Sequence, residues 1–116
     1  MPRVLLAVVV VGVVSVVVAV LVVLCGTGVI PRNPYAGLRL PSLFASDAAW
    51  MAGHRAAIIP QSCTAVIAVV LTVWALMAQP ADDELWVPLT VVAVVFAGTV
   101  VSGLVASRAA RRVDVK

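Results

Sequence analysis

PRNPYAGLRLPSLFASDAAWMAGHR, residues 31–55, is the polar segment that divides an otherwise apolar chain, and we call it the connector. It holds three arginines, three prolines, and the only histidine and the only tyrosine of the protein. Around it lie three uncharged runs rich in Val, Ala and Leu, at residues 4–30, 56–78 and 85–107. Each run is long enough to cross a bilayer as a helix, which takes roughly 20 apolar residues.

The composition predicts an all-α integral membrane protein with three transmembrane helices in one domain, residues 1–116. Of these 116 residues, 64% are hydrophobic and 11% are charged, which is far from a soluble globule. In lipid each backbone N–H and C=O must be paired within its own segment, so valine-rich runs still become helices. The first run is too long for a secretion signal, and Leu24 before Cys25 does not fit a lipoprotein signal.

Charge at the ends of the runs predicts the orientation. With three crossings, the connector and the tail, residues 108–116, share one side of the membrane. That side carries seven basic residues, namely Arg32, Arg39, Arg55, Arg108, Arg111, Arg112 and Lys116. The other side carries only Arg3 as a basic residue. The positive-inside rule therefore predicts that the N-terminus lies outside the cell and that the connector and the C-terminus are cytoplasmic.

Several function classes are disfavoured by what the runs lack. They contain no Asp, Glu, Lys, Arg or His, whereas ion-coupled carriers depend on ionisable groups within the membrane. The net charge of +3 comes from residues at the ends of the runs, not from a clustered nucleic-acid-binding face. Cys25, Cys63 and His54 lack the spacing of a metal site, so neither a metal nor a cofactor is predicted.

The first half of the connector carries signals for a turn. Gly26 and Gly28 loosen the end of the first helix, and the prolines that follow prevent it from restarting. Asn33 and Gly37 are residue types that tolerate positive φ, so we expect the chain to turn back towards the membrane there.

The second half of the connector carries signals for a helix start. Ser46 is a good N-cap residue, and Asp47 in the first turn complements the helix dipole. On a helix from Asp47, Trp50 and His54 are four residues apart, and their rings can stack. We expect a short interfacial helix that runs or bends into the second transmembrane helix.

Small residues repeat every four positions in the third run. Such spacing lets helix backbones approach closely, so the third helix is predicted to pack tightly on another helix, either within the chain or in a homo-oligomer. The two adjacent series are Gly98, Ser102 and Ala106, and Thr99, Gly103 and Ser107.

The order of residues in the connector resembles the signature of the SdpI family of membrane proteins. That signature is an Asn, a Gly-x-Arg, a Pro followed by a small hydroxyl residue, a Ser-acid pair, a Trp, and an Asn-Arg or His-Arg pair. The matching positions are Asn33, Gly37, Arg39, Pro41, Ser42, Ser46, Asp47, Trp50, His54 and Arg55. The chain departs from the family at Ala56 and Ala57, where a glycine often follows, and it lacks the additional membrane segments of the founding member.

The resemblance implies a bacterial cell-membrane protein of the toxin-immunity type, which protects its producer from a secreted peptide. It also implies that a cytoplasmic repressor can be held at the membrane, so that the connector takes part in signalling. The expected partners are therefore the lipid bilayer, a peptide toxin, a repressor or a second copy of the chain, and no nucleic acid.

Two other functions remain open from the residues alone. The chain could be a small accessory subunit that packs on a larger membrane complex through the face of Gly98 and Ser102. It could also be a lipid-modifying enzyme that uses Arg39, Asp47 and His54. The enzyme is disfavoured because Asp47 and His54 lie about 10 Å apart along a helix. The connector's polar residues could equally serve the fold, by capping helices and binding lipid phosphates, or bind a partner.

Overall fold

The computed structural model of the protein describes residues 1–114 and shows three long α-helices packed side by side. These are α1, Arg3–Gly26; α2, Asp47–Ala78; and α3, Trp86–Asp114, with a short 3-10 helix at Pro41–Ala45 in the connector. Each long helix is apolar and long enough to cross a membrane, and residues 1–114 contain no strand. The all-α membrane fold predicted from the composition is therefore confirmed.

The ends of α1 and α3 differ from the ends of the apolar runs. Helix α1 stops at Gly26, before the run ends at Ile30, because Gly28 adopts a φ of +86° and the amides of Val29 and Ile30 turn back to the carbonyl of Leu24. Helix α3 continues beyond residue 107 to Asp114, so the arginines of the predicted tail lie on a helix. Lys116, also assigned to that tail, lies outside the described residues.

Helix α2 begins at Asp47 and continues without a break to Ala78. The Ser46 hydroxyl accepts a hydrogen bond from the amide of Ala49 at 3.0 Å, which satisfies one of the free donors of the first turn. Pro60 lies inside the helix without ending it. The segment expected to form a short interfacial helix is therefore the beginning of α2 itself.

Helix α2 packs extensively against both α1 and α3, which contact each other less. The molecule measures 55 × 21 × 20 Å, so its long axis exceeds the roughly 30 Å thickness of a hydrocarbon core. One buried apolar cluster joins the connector to all three helices and includes Val22, Leu43, Trp50, Ala57 and Ala106. A second cluster joins the three helices at the opposite end, which we call the hairpin end.

The hairpin end contains the loop between α2 and α3. Pro2 gives α1 no side-chain cap, but a carboxylate oxygen of Asp82 accepts the amide hydrogen of Val4 at 3.0 Å. An acidic side chain at a helix N-terminus is favourable because the helix dipole is positive there. Asp82 therefore ties the loop to the start of α1.

Both series of small residues on α3 contact other parts of the chain, but only the first series is largely covered. Gly98 faces the side chain of Thr64 on α2, and Ser102 and Ala106 are fully buried. In the adjacent series Gly103 lies beside Leu40, and Ser107 shares a hydrogen bond of 2.8 Å with Ser42 in the connector. The structure thus places the first series against α2, and Gly103 and Ser107 of the second series against the connector.

Gly98→Ala should lower the free energy of unfolding by about 1–3 kcal/mol, the usual cost of overpacking. A Cβ at this position would overlap the Thr64 side chain, whereas a Cβ at Gly103 would only touch Leu40 at 3.6 Å. Gly103→Ala is therefore the control and should be neutral. The measurement is SDS titration followed by circular dichroism. In the double variant Gly98→Ala, Thr64→Ala the new methyl group meets a smaller side chain. Its loss of unfolding free energy should therefore be smaller than the sum of the losses in the two single variants. A loss equal to that sum would contradict the contact between Gly98 and Thr64.

Candidate functional site

The most tightly built part of the molecule is the contact between the connector and the first turns of α2. We call Ile30, Gly37, Leu38, Trp50 and His54 the Trp50–His54 cluster. The side chains of Trp50 and His54 are both buried, at 1% and 0% exposure. Because they are four residues apart on α2, their rings lie together, with centroids 4.3 Å apart and planes at 51°.

Both ring nitrogens of His54 are bonded to the backbone. The amide of Leu38 donates to Nε2 at 2.9 Å, so Nε2 acts as an acceptor and carries no proton. Nδ1 lies 2.8 Å from the carbonyl oxygen of Trp50, so Nδ1 carries the proton and donates. His54 is therefore a neutral imidazole, and its hydrogen bond from Leu38 holds the connector against α2. Protonation of Nε2 would abolish the bond to Leu38.

Trp50 links the end of α1 to the beginning of α2. Its indole N–H donates to the carbonyl oxygen of Ile30 at 3.1 Å, and its ring packs against Phe44 with centroids 5.4 Å apart. A buried indole N–H normally finds such a partner, since leaving it unpaired is costly. Trp50 therefore joins the turn that follows α1, α2 and the 3-10 helix in one set of contacts.

Gly37 lies directly over these two rings. Its φ is +105°, which L-amino acids with a side chain rarely adopt. A Cβ there would lie 2.8 Å from Nε2 of His54 and 2.8 Å from Cη2 of Trp50. Glycine is required at this position both for the backbone conformation and for the space.

Two further glycines allow close contact around the cluster. A Cβ at Gly26 would lie 2.8 Å from the backbone nitrogen of Arg55, so the backbones of α1 and α2 nearly touch at this level. A Cβ at Gly53 would lie 2.6 Å from Cγ of Leu43, which is fully buried. These contacts position α1, α2 and the 3-10 helix around His54.

Polar side chains fix the turn that precedes Gly37. Asn33 donates to the carbonyl of Pro31 at 2.7 Å, and its side-chain oxygen accepts the amides of Tyr35 and Ala36 at 2.9 and 2.8 Å. This is the local bonding that makes Asn favourable in turns. Asn33 therefore serves the turn and has no free hydrogen-bonding capacity on its oxygen side.

Arg32 bonds the connector to the start of α2. It donates to the carbonyl of Phe44 at 2.9 Å, and its Nε lies 3.3 Å from a carboxylate oxygen of Asp47. The Asp47 side chain is largely exposed, so this ion pair contributes little energy.

Arg39 and Arg55 are the signature residues that point away from the cluster. Both are exposed, and no carboxylate among the described side chains lies within ion-pair distance of either guanidinium. Arg39 donates one hydrogen bond, to the carbonyl of Tyr35 at 3.0 Å. These two cations therefore remain available to an anionic partner.

The signature residues divide into two groups in space. The structure brings Gly37, Trp50 and His54 together, places Ser46 and Asp47 at the start of α2, and begins the 3-10 helix at Pro41. It does not bring Asp47 to His54, because the carboxylate pairs with Arg32 and the imidazole bonds to the backbone. The site holds the chain in shape and presents Arg39 and Arg55 outwards.

Sequence reasoning missed Gln61. Its side chain is fully buried between the helices, and neither its amide nitrogen nor its amide oxygen has a hydrogen-bond partner. The hydroxyl of Ser15 on α1 is also buried and unpartnered, and the two residues line one cavity. The signal was an amide side chain within an uncharged run, where each unpaired polar group is costly.

One comparison with known proteins identifies a family. A model of the SdpI/YfhL protein family matches residues 29–107, which include all ten signature positions, α2 and most of α3. No curated protein and no solved structure matches the chain.

Proposed function

The chain belongs to the SdpI/YfhL protein family, and from that membership we propose that it is an immunity protein that protects a bacterial cell from a secreted peptide. The supporting observation is that the family-matched segment contains the complete Trp50–His54 cluster and both exposed signature cations. The peptide would act on the membrane-spanning helices, and the connector would report the event to a cytoplasmic partner.

The cluster supplies a physical route for such a signal. Trp50 bonds to Ile30 in the turn that follows α1, and His54 bonds to Leu38 in the connector. A shift of α1 relative to α2 would break or strain these bonds, and the connector would then move Arg39 relative to Arg55 on α2. The proposal requires that the connector has two arrangements and that binding of the peptide favours one of them.

The proposed orientation places this route on the cytoplasmic side. The connector and the end of α3 carry six of the seven arginines, so the positive-inside rule favours the cytoplasm for both. A peptide arriving from outside would first meet the hairpin end, where Asp82 binds Val4. Recognition and reporting would therefore occur at opposite ends of the bundle.

Expression of the chain should restore survival of a sensitive bacterium that is challenged with the peptide secreted by the bacterium encoding it. Arg55→Ala should reduce survival at unchanged abundance in the membrane, because Arg55 is exposed and has no carboxylate partner among the described side chains. Arg111→Ala is the matched control, since Arg111 is also exposed but lies outside the matched segment. The measurements are colony counts after challenge and immunoblots of membrane fractions.

Survival equal to that of the empty vector, with normal abundance of the wild-type chain, would contradict the immunity proposal. An equal loss for Arg55→Ala and Arg111→Ala would show that only net charge matters. The alternative of an accessory subunit has less support, because Gly98 and Ser102 are covered by α2 inside the chain. We propose no catalytic step, since Asp47 and His54 are engaged separately.

A further inference from the structure

Two cavities on one side of the bundle adjoin each other. The outer cavity, about 390 Å³, lies between the connector and α3 and is lined by Arg39, Leu40, Val100 and Leu104 among others. The inner cavity, about 350 Å³, lies between the three helices and is lined by Ser15, Gln61, Val92 and Val95 among others. Phe96 and Thr99 line both, so the two cavities are neighbours along α3, and we call them together the groove.

The groove runs from the connector into the membrane-spanning part of α3. Its outer wall includes Ser107, which bonds to Ser42, and Thr99 lies eight residues earlier, about 12 Å along the helix. Its surface is almost wholly apolar, and Phe96 and Leu104 are 69% and 58% exposed. An occupant must therefore have an apolar body that lies along α3.

The outer end of the groove is cationic. Arg39 lines it, is exposed, and has no carboxylate within ion-pair distance among the described side chains. Its guanidinium makes one described hydrogen bond, to Tyr35, and so retains donors that suit a phosphate. Charge complementarity at this end favours an anionic headgroup.

The inner end of the groove holds unpaired hydrogen-bonding groups. Both amide atoms of Gln61 and the hydroxyl of Ser15 are buried without partners. An unpaired polar group costs several kcal/mol in a medium without water, so these atoms need a partner that enters the cavity they line. The amide N–H groups of Gln61 are donors, and an ester carbonyl is an acceptor that a membrane supplies.

We propose that this groove binds one anionic phospholipid from the leaflet on the connector side. The phosphate lies on Arg39, the glycerol part crosses the outer cavity beside Val100 and Leu104, and an ester carbonyl accepts from the Gln61 amide. An acyl chain then continues inwards along Phe96 and Val92, which line the inner cavity with Gln61. A phospholipid fits the order of these features, because its anionic headgroup, its esters and its chains follow one another towards the membrane interior. This lipid site goes beyond the proposed immunity role, and purified protein tests it independently of that role.

The test is native mass spectrometry of the purified full chain in detergent, with dioleoylphosphatidylglycerol and dioleoylphosphatidylcholine as probes of equal chain length. We expect the anionic lipid to bind more tightly. Arg39→Gln should weaken its binding about tenfold, the loss expected for one charge-assisted bond. Arg112→Gln is the matched control, because Arg112 is exposed at the end of α3 and does not line the groove.

Gln61→Leu provides a second, independent variant. It removes the unpaired amide, so the free energy of unfolding should stay the same or rise, while binding of the anionic lipid weakens. A purely structural amide would not give this combination.

Four outcomes would overturn the proposal. They are equal binding of the two lipids, equal weakening by Arg39→Gln and Arg112→Gln, unchanged lipid binding in Gln61→Leu, and displacement of the lipid by glycerol 3-phosphate alone. The last outcome would assign Arg39 to a soluble phosphate.

Discussion

Gly37→Ala should separate the connector from α2 and lower the free energy of unfolding by about 3 kcal/mol or more, combining backbone strain with overpacking. The residue has a φ of +105°, and its Cβ would lie 2.8 Å from His54 and Trp50. Neither ring can move aside freely, because each is held by a bond to the backbone, at Leu38 and at Ile30. SDS titration of the purified protein, followed by circular dichroism, measures the change.

Gly103→Ala is the control for this substitution. It adds the same methyl group, but on a helix and with only an ordinary contact of 3.6 Å to Leu40. Alanine favours a helix over glycine by up to about 1 kcal/mol, so the control should be neutral or slightly stabilising. A loss of less than about 1 kcal/mol for Gly37→Ala would mean that the connector is not held as described, since strain alone should exceed that value.

Comparing Gly37→Ala with Arg55→Ala separates the connector's role in stability from its proposed role in immunity. Gly37→Ala should reduce survival in the peptide challenge because the signal passes through the Trp50–His54 cluster. Arg55→Ala should reduce survival without loss of stability, since Arg55 is exposed. Gly37→Ala should therefore lower both stability and survival, whereas Arg55→Ala should lower survival alone.

The membrane fold could be predicted from the sequence because lipid imposes a simple rule. A long apolar run that crosses lipid must pair its own backbone groups and so becomes a helix. The composition therefore predicted the three long helices that the structure contains. The start of α2 was also predictable, since Ser46 and Asp47 act on the backbone within a few residues of themselves. The end of α1 was less predictable, because Gly28 and the bonds to Leu24 stop the helix before the apolar run ends.

Contacts between distant segments could be predicted only in part. The stacking of Trp50 on His54 follows from their spacing on one helix. The bond from Leu38 to His54 and the approach of Gly26 to Arg55 depend on how the connector folds over α2, which no local pattern specifies. The resemblance named Gly37 and His54 as signature residues without showing that they touch.

Gln61 illustrates a second reason why the functional residues could be predicted only in part from the sequence. The runs contain no charged groups, and the Gln61 amide carries no charge that would mark it among them. Yet both its polar atoms are buried without partners, which is costly in lipid. Its importance became visible only when α1 and α3 were placed around it, with Ser15 and Thr99 lining the same cavity.

Trp50→Ala should lower the free energy of unfolding by about 3–5 kcal/mol, the usual cost of removing a large buried aromatic side chain. Trp50 is among the largest fully buried side chains, and it contacts Phe44, His54 and the carbonyl of Ile30. Its loss would leave a cavity beneath Gly37 and remove the indole bond to the Ile30 carbonyl in the turn that follows α1. Trp50→Phe retains part of the ring but loses the indole bond, and it should cost less.

Trp74 and Trp86 are matched controls for this prediction because they are 45% and 57% exposed, and their rings contact each other with centroids 6.1 Å apart. Replacing either by alanine leaves lipid to fill the space, so the expected loss is below about 1 kcal/mol, as for other exposed positions. Equal losses at all three tryptophans would mean that general membrane anchoring, rather than the Trp50–His54 cluster, holds the bundle. A loss confined to Trp50 would show that the connector end is stabilised by packing of the connector on α2, which the immunity proposal requires for a signal to pass between them.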